Sequence, residues 1–222
     1  MKKKSKLLLS TGACLLIAFA LWTVLVLTVD IRAIGPHGSE VGFASLNEGV
    51  HKLTGANMTL YEITDWLGIV PIGTALCFGV TGLVQWIRRR SLFKVDRSLL
   101  LLGGFYIAVM VTFLFFEIVE VNYRPVLING CLEASYPSST TMLVLTVMPT
   151  AIMQCRDRIK SIAWRRCITL GTVAFIAFIL IGRILSGVHW ITDIIGGVLI
   201  SAGLVAVYAG LHAEDGAEER QI

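Results

Sequence analysis

Residues 167–211 read CITLGTVAFIAFILIGRILSGVHWITDIIGGVLISAGLVAVYAGL, two apolar runs (167–184 and 190–211) joined by a short link, with Arg183, His189 and Asp193 in and on either side of it. A helix needs about 20 mostly apolar residues to cross a bilayer. Each run therefore predicts a transmembrane helix, and the link predicts a polar site at one membrane face. Working outward, similar runs occur near 7–29, 66–87, 98–120 and 139–155. The expected fold class is all-α: a polytopic membrane protein with six transmembrane helices in one domain, 1–222. At 55% hydrophobic and 15% charged residues, the composition is too apolar for a soluble domain of this size. The first run follows MKKKSK but is longer than a signal core and lacks a small-residue cleavage site, so it reads as a retained anchor.

Positive charge in short connections stays cytoplasmic during insertion. Lys2, Lys3, Lys4 and Lys6, then Arg88, Arg89, Arg90, Lys94 and Arg97, then Arg156, Arg158, Lys160, Arg165 and Arg166, and finally Arg220 make 15 of the 19 cations and fall on one side. Both termini are thus expected in the cytoplasm. The net charge of +4 is accounted for by this topology, and no nucleic-acid motif is present. Arg32, Lys52, Arg124 and Arg183 fall toward the outer side. Surface solvation suffices for Arg32 and Lys52. The cysteines (14, 77, 131, 155, 167) form neither a disulfide framework nor a metal-ligand spacing, and neither a metal nor a cofactor is expected.

Residues 30–65 form the longest outer connection, where Phe43, Leu46, Val50 and Leu53 recur at helical spacing. A short interfacial helix fits, either a gate beside a lipid path or a lid packed on the bundle. His37 and His51 read as surface residues, and Asn57-Met58-Thr59 as a chance glycosylation match. The segment 212–222, with Glu214, Asp215, Glu218 and Glu219, reads as a disordered cytoplasmic tail.

Three segments carry candidate chemistry, all on the expected outer side. If the chain is helical from His189 onward, Asp193 lies one turn away and can accept a hydrogen bond from the imidazole, fixing its tautomer and leaving the other nitrogen free to attack. Arg183 can hold two phosphate oxygens in its planar fork. Arg124 precedes Pro125, which disfavours helical geometry there, so its side chain can turn from the helix end toward the same centre. Tyr136-Pro137-Ser138-Ser139-Thr140-Thr141 opens the fourth run as an anion cradle or as a plain helix cap.

These segments resemble the three motifs of the type 2 phosphatidic acid phosphatase superfamily of six-helix membrane enzymes: Lys-x6-Arg-Pro, Pro-Ser-Gly-His and Ser-Arg-x5-His-x3-Asp. The third matches at Arg183, His189 and Asp193, with Gly182 in the serine position. The resemblance implies His189 as the nucleophile forming a phosphohistidine, Asp193 as its orienting partner, and Arg124, Arg183 and Ser138 as phosphate ligands. Ser139 would add a backbone N–H, and Thr140 stands where the family has histidine. Glu117 stands where it has lysine.

Threonine cannot replace an acid that protonates the leaving group, a function that contributes roughly 10²- to 10⁴-fold in rate. Two expectations follow. A diphosphate lipid such as a polyprenyl diphosphate, whose departing phosphate needs little protonation, is the preferred substrate. Alternatively a carboxylate supplies the proton: Glu117, Glu120 and Arg124 would share a helical face, and Glu133 precedes the second motif, although Glu120 and Arg124 could equally form an ion pair. The function expected is a lipid phosphatase of the outer leaflet of the cell membrane, acting on a lipid phosphate or diphosphate. A lipid phosphotransferase and a non-catalytic binder or transporter of lipid phosphates are the alternatives. An ion or solute transporter fits less well, since the ionisable groups cluster at one end. Oligomeric state is left open.

Overall fold

A computed structural model of the chain describes residues 2–218, and Arg220 with Glu219 lies outside them. The chain folds into α1 (Lys2–Thr28), α2 (Ala44–Thr54), α3 (Met58–Trp66), α4 (Ile69–Arg89), α5 (Arg97–Ile118), α6 (Ser139–Arg158), α7 (Ile162–Ser186) and α8 (Ile191–Glu218). Among the described residues there is no strand, only isolated bridges such as Tyr123 with Ala134. The acidic segment from His212 is not a separate tail: it continues α8 to Glu218.

Five stretches are long and apolar enough to cross a bilayer: 3–28, 58–89, 97–118, 162–186 and 191–214. The chain is a multi-pass membrane protein. The expected run 66–87 begins earlier, because α3 and α4 form one apolar stretch broken at Leu67 and Gly68. The expected run at 139–155 is α6, which differs in kind. Thr140, Thr141, Thr146, Thr150 and Gln154 are buried along it, so its apolarity is too low for it to stand among the five.

Those polar side chains are tolerated because α6 packs against α4, α5, α7 and α8 and each finds a partner inside the protein. Thr146 and Thr150 donate back to the carbonyls of Met142 (2.7 Å) and Thr146 (2.9 Å). Gln154 Nε2 donates to the Tyr208 hydroxyl at 2.6 Å and to the Ser98 carbonyl at 3.1 Å.

The most extensive helix pairing joins the two ends of the chain, α1 with α8. Small residues let the backbones approach closely, as membrane helices require. A Cβ on Gly12 would lie 2.9 Å from the Val207 nitrogen and 3.0 Å from the Gly203 carbonyl oxygen, and Ser5 Oγ donates to the Gly210 carbonyl at 2.9 Å.

The connection 30–65 contains the expected amphipathic helix, but its inward face is not the apolar one. Ala44 and Asn47 are the buried residues of α2, whereas Leu46 and Leu53 are exposed and Phe43 precedes the helix, stacked on Trp22. Arg32 and Lys52 are exposed beside Asp30 and Glu48. His51 is half-buried against Trp190, with ring centroids 5.6 Å apart, and is not the plain surface residue expected. Asn57 accepts the Leu60 N–H at 3.0 Å as the cap of α3.

Gly12→Leu should wedge α1 from α8 and lower stability by about 1–3 kcal/mol, read as a lower thermal midpoint in detergent. Gly171→Leu is the control, since a Cβ there meets nothing within 4 Å.

Candidate active site

The first turn of α8 is held from every side. Gly187 ends α7 at φ 62°, and a Cβ on it would fall 1.6 Å from the Gly55 carbonyl oxygen, so only glycine makes this turn. Beyond it, Trp190 N–H donates to Asp193 Oδ2 at 3.0 Å, a reciprocal cap from the third helical position. Asn122 Nδ2 donates to Asp193 Oδ1 at 3.1 Å, and Ser138 N–H to the Asp193 carbonyl at 3.1 Å. Trp190 Nε1 reaches the Tyr123 carbonyl at 2.7 Å, Trp22 Nε1 the Thr192 carbonyl at 3.1 Å, and Thr192 N–H the Asn47 amide oxygen at 3.3 Å.

His189 is buried in the link between α7 and α8 and is not part of the helix. This corrects the expected i,i+4 hydrogen bond. Asp193 is committed to Trp190 and Asn122, and its Oδ2 lies 3.8 Å from His189 Nδ1, an ion-pair distance but too long for a hydrogen bond.

The opposite ring nitrogen is the focus of the site. His189 Nε2 lies 2.6 Å from an Arg183 terminal nitrogen and 3.1 Å from one of Arg124. A guanidinium can only donate, so Nε2 must be the acceptor and carries the ring's lone pair. Burial, followed by the charges of Arg183 and Arg124, holds the imidazole well below its ordinary value of 6.5, against an opposing backbone interaction at Ser135.

Both guanidiniums are buried. Arg124 projects from an extended segment beyond α5 and not from the helix end, since α5 stops at Ile118. Its Nε lies 3.1 Å from Glu133 Oε2. Arg183 lies 3.5 Å from Asp65 Oδ1. The ring of Tyr61 faces both cations, 4.9 Å from the Arg183 guanidinium carbon and 5.5 Å from that of Arg124.

At the start of α6, Ser138 makes no side-chain capping bond. Its hydroxyl accepts from Thr141 Oγ1 at 3.0 Å. The leading N–H groups of the helix have no partner within the helix. Thr140 Oγ1 donates to Asp65 Oδ1 at 3.4 Å.

A cavity of about 440 Å³ opens on His189, lined among others by Arg124, Ser139, Phe116, Glu117, Glu120 and Glu133. The three glutamates thus share one cavity, though not one helical face, because Glu120 lies past the end of α5. Its carboxylate accepts from the Tyr123 hydroxyl and does not pair with Arg124. Among the described residues, no group of three or more His, Cys, Asp or Glu side chains is placed to hold a metal ion.

A family model described as the PAP2 superfamily matches residues 108–216, a span covering α6, α7 and every motif residue named above. Residues 108–216 belong to the PAP2 superfamily. The fold is similar to that of a solved transmembrane PAP2 type phosphatidylglycerolphosphate phosphatase from Bacillus subtilis, with a TM-score of 0.56 over 94% of this chain and 96% of that one. At 18% sequence identity this likeness concerns the fold. No curated protein matches the sequence. Family and fold together indicate a membrane phosphatase of the hydrolase class.

Tyr61 and Asp65 were not singled out from the sequence. The readable signal was Tyr61 and Asp65 at a spacing of four, one face of a helix entering an apolar run.

Two outcomes are expected. Gly187→Ala should displace the link and reduce phosphate release by at least about 10²-fold, the effect of an ångström-scale misplacement, with the elution volume in detergent unchanged. Because the depressed proton affinity leaves His189 neutral down to well below pH 6.5, kcat/KM should show no acidic loss attributable to this residue between pH 6.5 and 7.5. A limb near 6.5 that disappears on altering Arg124 would contradict the assignment.

Proposed function

We propose that the protein is a membrane lipid phosphatase that transfers phosphate from a lipid phosphate or diphosphate to His189 and then to water at the extracytoplasmic face. One observation carries this reading: the lone pair of His189 Nε2 points to where two buried guanidiniums converge. Two cations so close favour an anion between them, and a phosphate there would sit against the nucleophile.

In this mechanism the Nε2–P bond forms as the bond from phosphorus to the lipid oxygen breaks. Arg124 and Arg183 turn their N–H groups from the ring to the phosphoryl oxygens, joined by the N–H groups of Ser139 and Thr140 and the hydroxyl of Ser138 at the start of α6. Asp193 stands beside Nδ1, ready to stabilise the positive ring of the phosphohistidine. Water then attacks phosphorus, the P–Nε2 bond breaks, and phosphate leaves.

Sidedness is supported by charge. The site gathers at the start of α6 and the end of α7, while Arg156, Arg158, Arg165 and Arg166 occupy the opposite ends of the same helices. Positive-inside insertion then makes the site extracytoplasmic.

The glutamates lining the cavity and Thr140 at the start of α6 favour a second reading, a protein that binds lipid phosphate without cleaving it. Assaying phosphate release from phosphatidic acid, phosphatidylglycerol phosphate and prenyl diphosphates separates the two. Wild type should release phosphate and form an acid-labile, base-stable phosphoenzyme, and His189→Ala should do neither while still binding lipid. Binding by wild type with no release across the panel would instead establish the binder. Label appearing on an acceptor lipid in place of free phosphate would identify a phosphotransferase.

A further inference from the structure

We propose that Asp65, on α3, is the acid–base residue of the phosphoryl transfer; the proposal rests on the phosphohistidine reading above. The transfer needs a proton donor for the departing lipid oxygen and, in its second half, an acceptor for a proton from water. His189 cannot serve, because Nε2 is occupied by phosphorus. The group must be a carboxyl that touches both the guanidinium pair and the start of α6.

The carboxylates around the site differ in this respect. Asp193 is fully buried and bonded by Asn122 and Trp190. Glu133 is paired with Arg124, and Glu120 accepts from Tyr123. Glu117 lines the wall of the cavity from the last turn of α5.

Asp65 stands at the rim of the arginine pair itself, 3.5 Å from Arg183 and 3.4 Å from the Thr140 hydroxyl at the mouth of α6. Its side chain is 54% exposed and so is not shut inside the helix bundle. Tyr61, one turn earlier on α3, lies against both guanidiniums and fixes that face of the helix over the site.

The steps balance. As Nε2–P forms and the P–O bond to the lipid breaks, the Asp65 carboxyl gives its proton to the leaving oxygen. As water then attacks phosphorus and P–Nε2 breaks, the Asp65 carboxylate takes a proton from that water and is restored. A diphosphate leaving group is then not required, which revises the substrate preference expected from Thr140 alone.

The test uses the full chain in detergent with two substrates, a lipid alkyl monophosphate and p-nitrophenyl phosphate, whose leaving group needs no proton. With Asp65→Asn, phosphoenzyme formation from the alkyl ester should fall by about 10²- to 10⁴-fold. The burst of p-nitrophenolate should keep its amplitude and rate while steady-state phosphate release slows. Asp65→Glu should recover part of the loss. Equal loss of both bursts would mean that Asp65 only positions Arg183, and an unchanged alkyl rate would mean that it has no part in the reaction; either overturns the proposal. If wild type forms no phosphoenzyme, the failure belongs to the phosphohistidine reading and is recognised without any variant.

Discussion

A carboxylate with no access to water, Asp193, organises this molecule. An unpaired charge at that depth is very costly, so the chain must bring donors to it. It does so from separate segments: Asn122 from the α5–α6 connection, the Trp190 N–H from the α7–α8 link, and the Ser138 N–H, which binds the carbonyl of the same residue. The segments carrying the three motifs are thereby fixed relative to one another. Trp22 and Asn47 hold the next residue, Thr192, which ties α1 and α2 to the same turn. The site is rigid because it is built on the termini of packed helices.

The second constraint is electrostatic. Arg124 and Arg183 repel each other, and their proximity is offset by Glu133 on one side, Asp65 on the other and the face of Tyr61 between. These three are two counter-charges and the electrons of an aromatic face. Burial, and after it the same field, keeps His189 neutral, which preserves a lone pair on Nε2 where a protonated ring would have none.

Much of the helical layout was legible because lipid imposes a simple rule on composition, and the runs 167–184 and 190–211 obey it closely. The residues Arg124, Ser138, Arg183, His189 and Asp193 could be grouped because their motifs are local in sequence. α6 was harder, since its threonines and glutamine are satisfied by neighbours that periodicity cannot reveal. The His189–Asp193 distance was misread because a spacing of four implies contact only within a helix, and His189 precedes it. Asp65 and Tyr61 escaped notice because their partners, Arg183 and Arg124, lie far away along the chain, and no spacing rule links them.

The polarity of α6 has a consequence for how the protein is made. A helix with Thr146, Thr150, Gln154 and Pro149 along its length gains little from contact with lipid alone. The helices that shelter it on one side, α7 and α8, are synthesised after it. During translation α6 therefore emerges before these two partners and depends on them for a stable place in the bilayer. Its retention becomes a matter of timing, set by how soon α7 and α8 leave the insertion machinery.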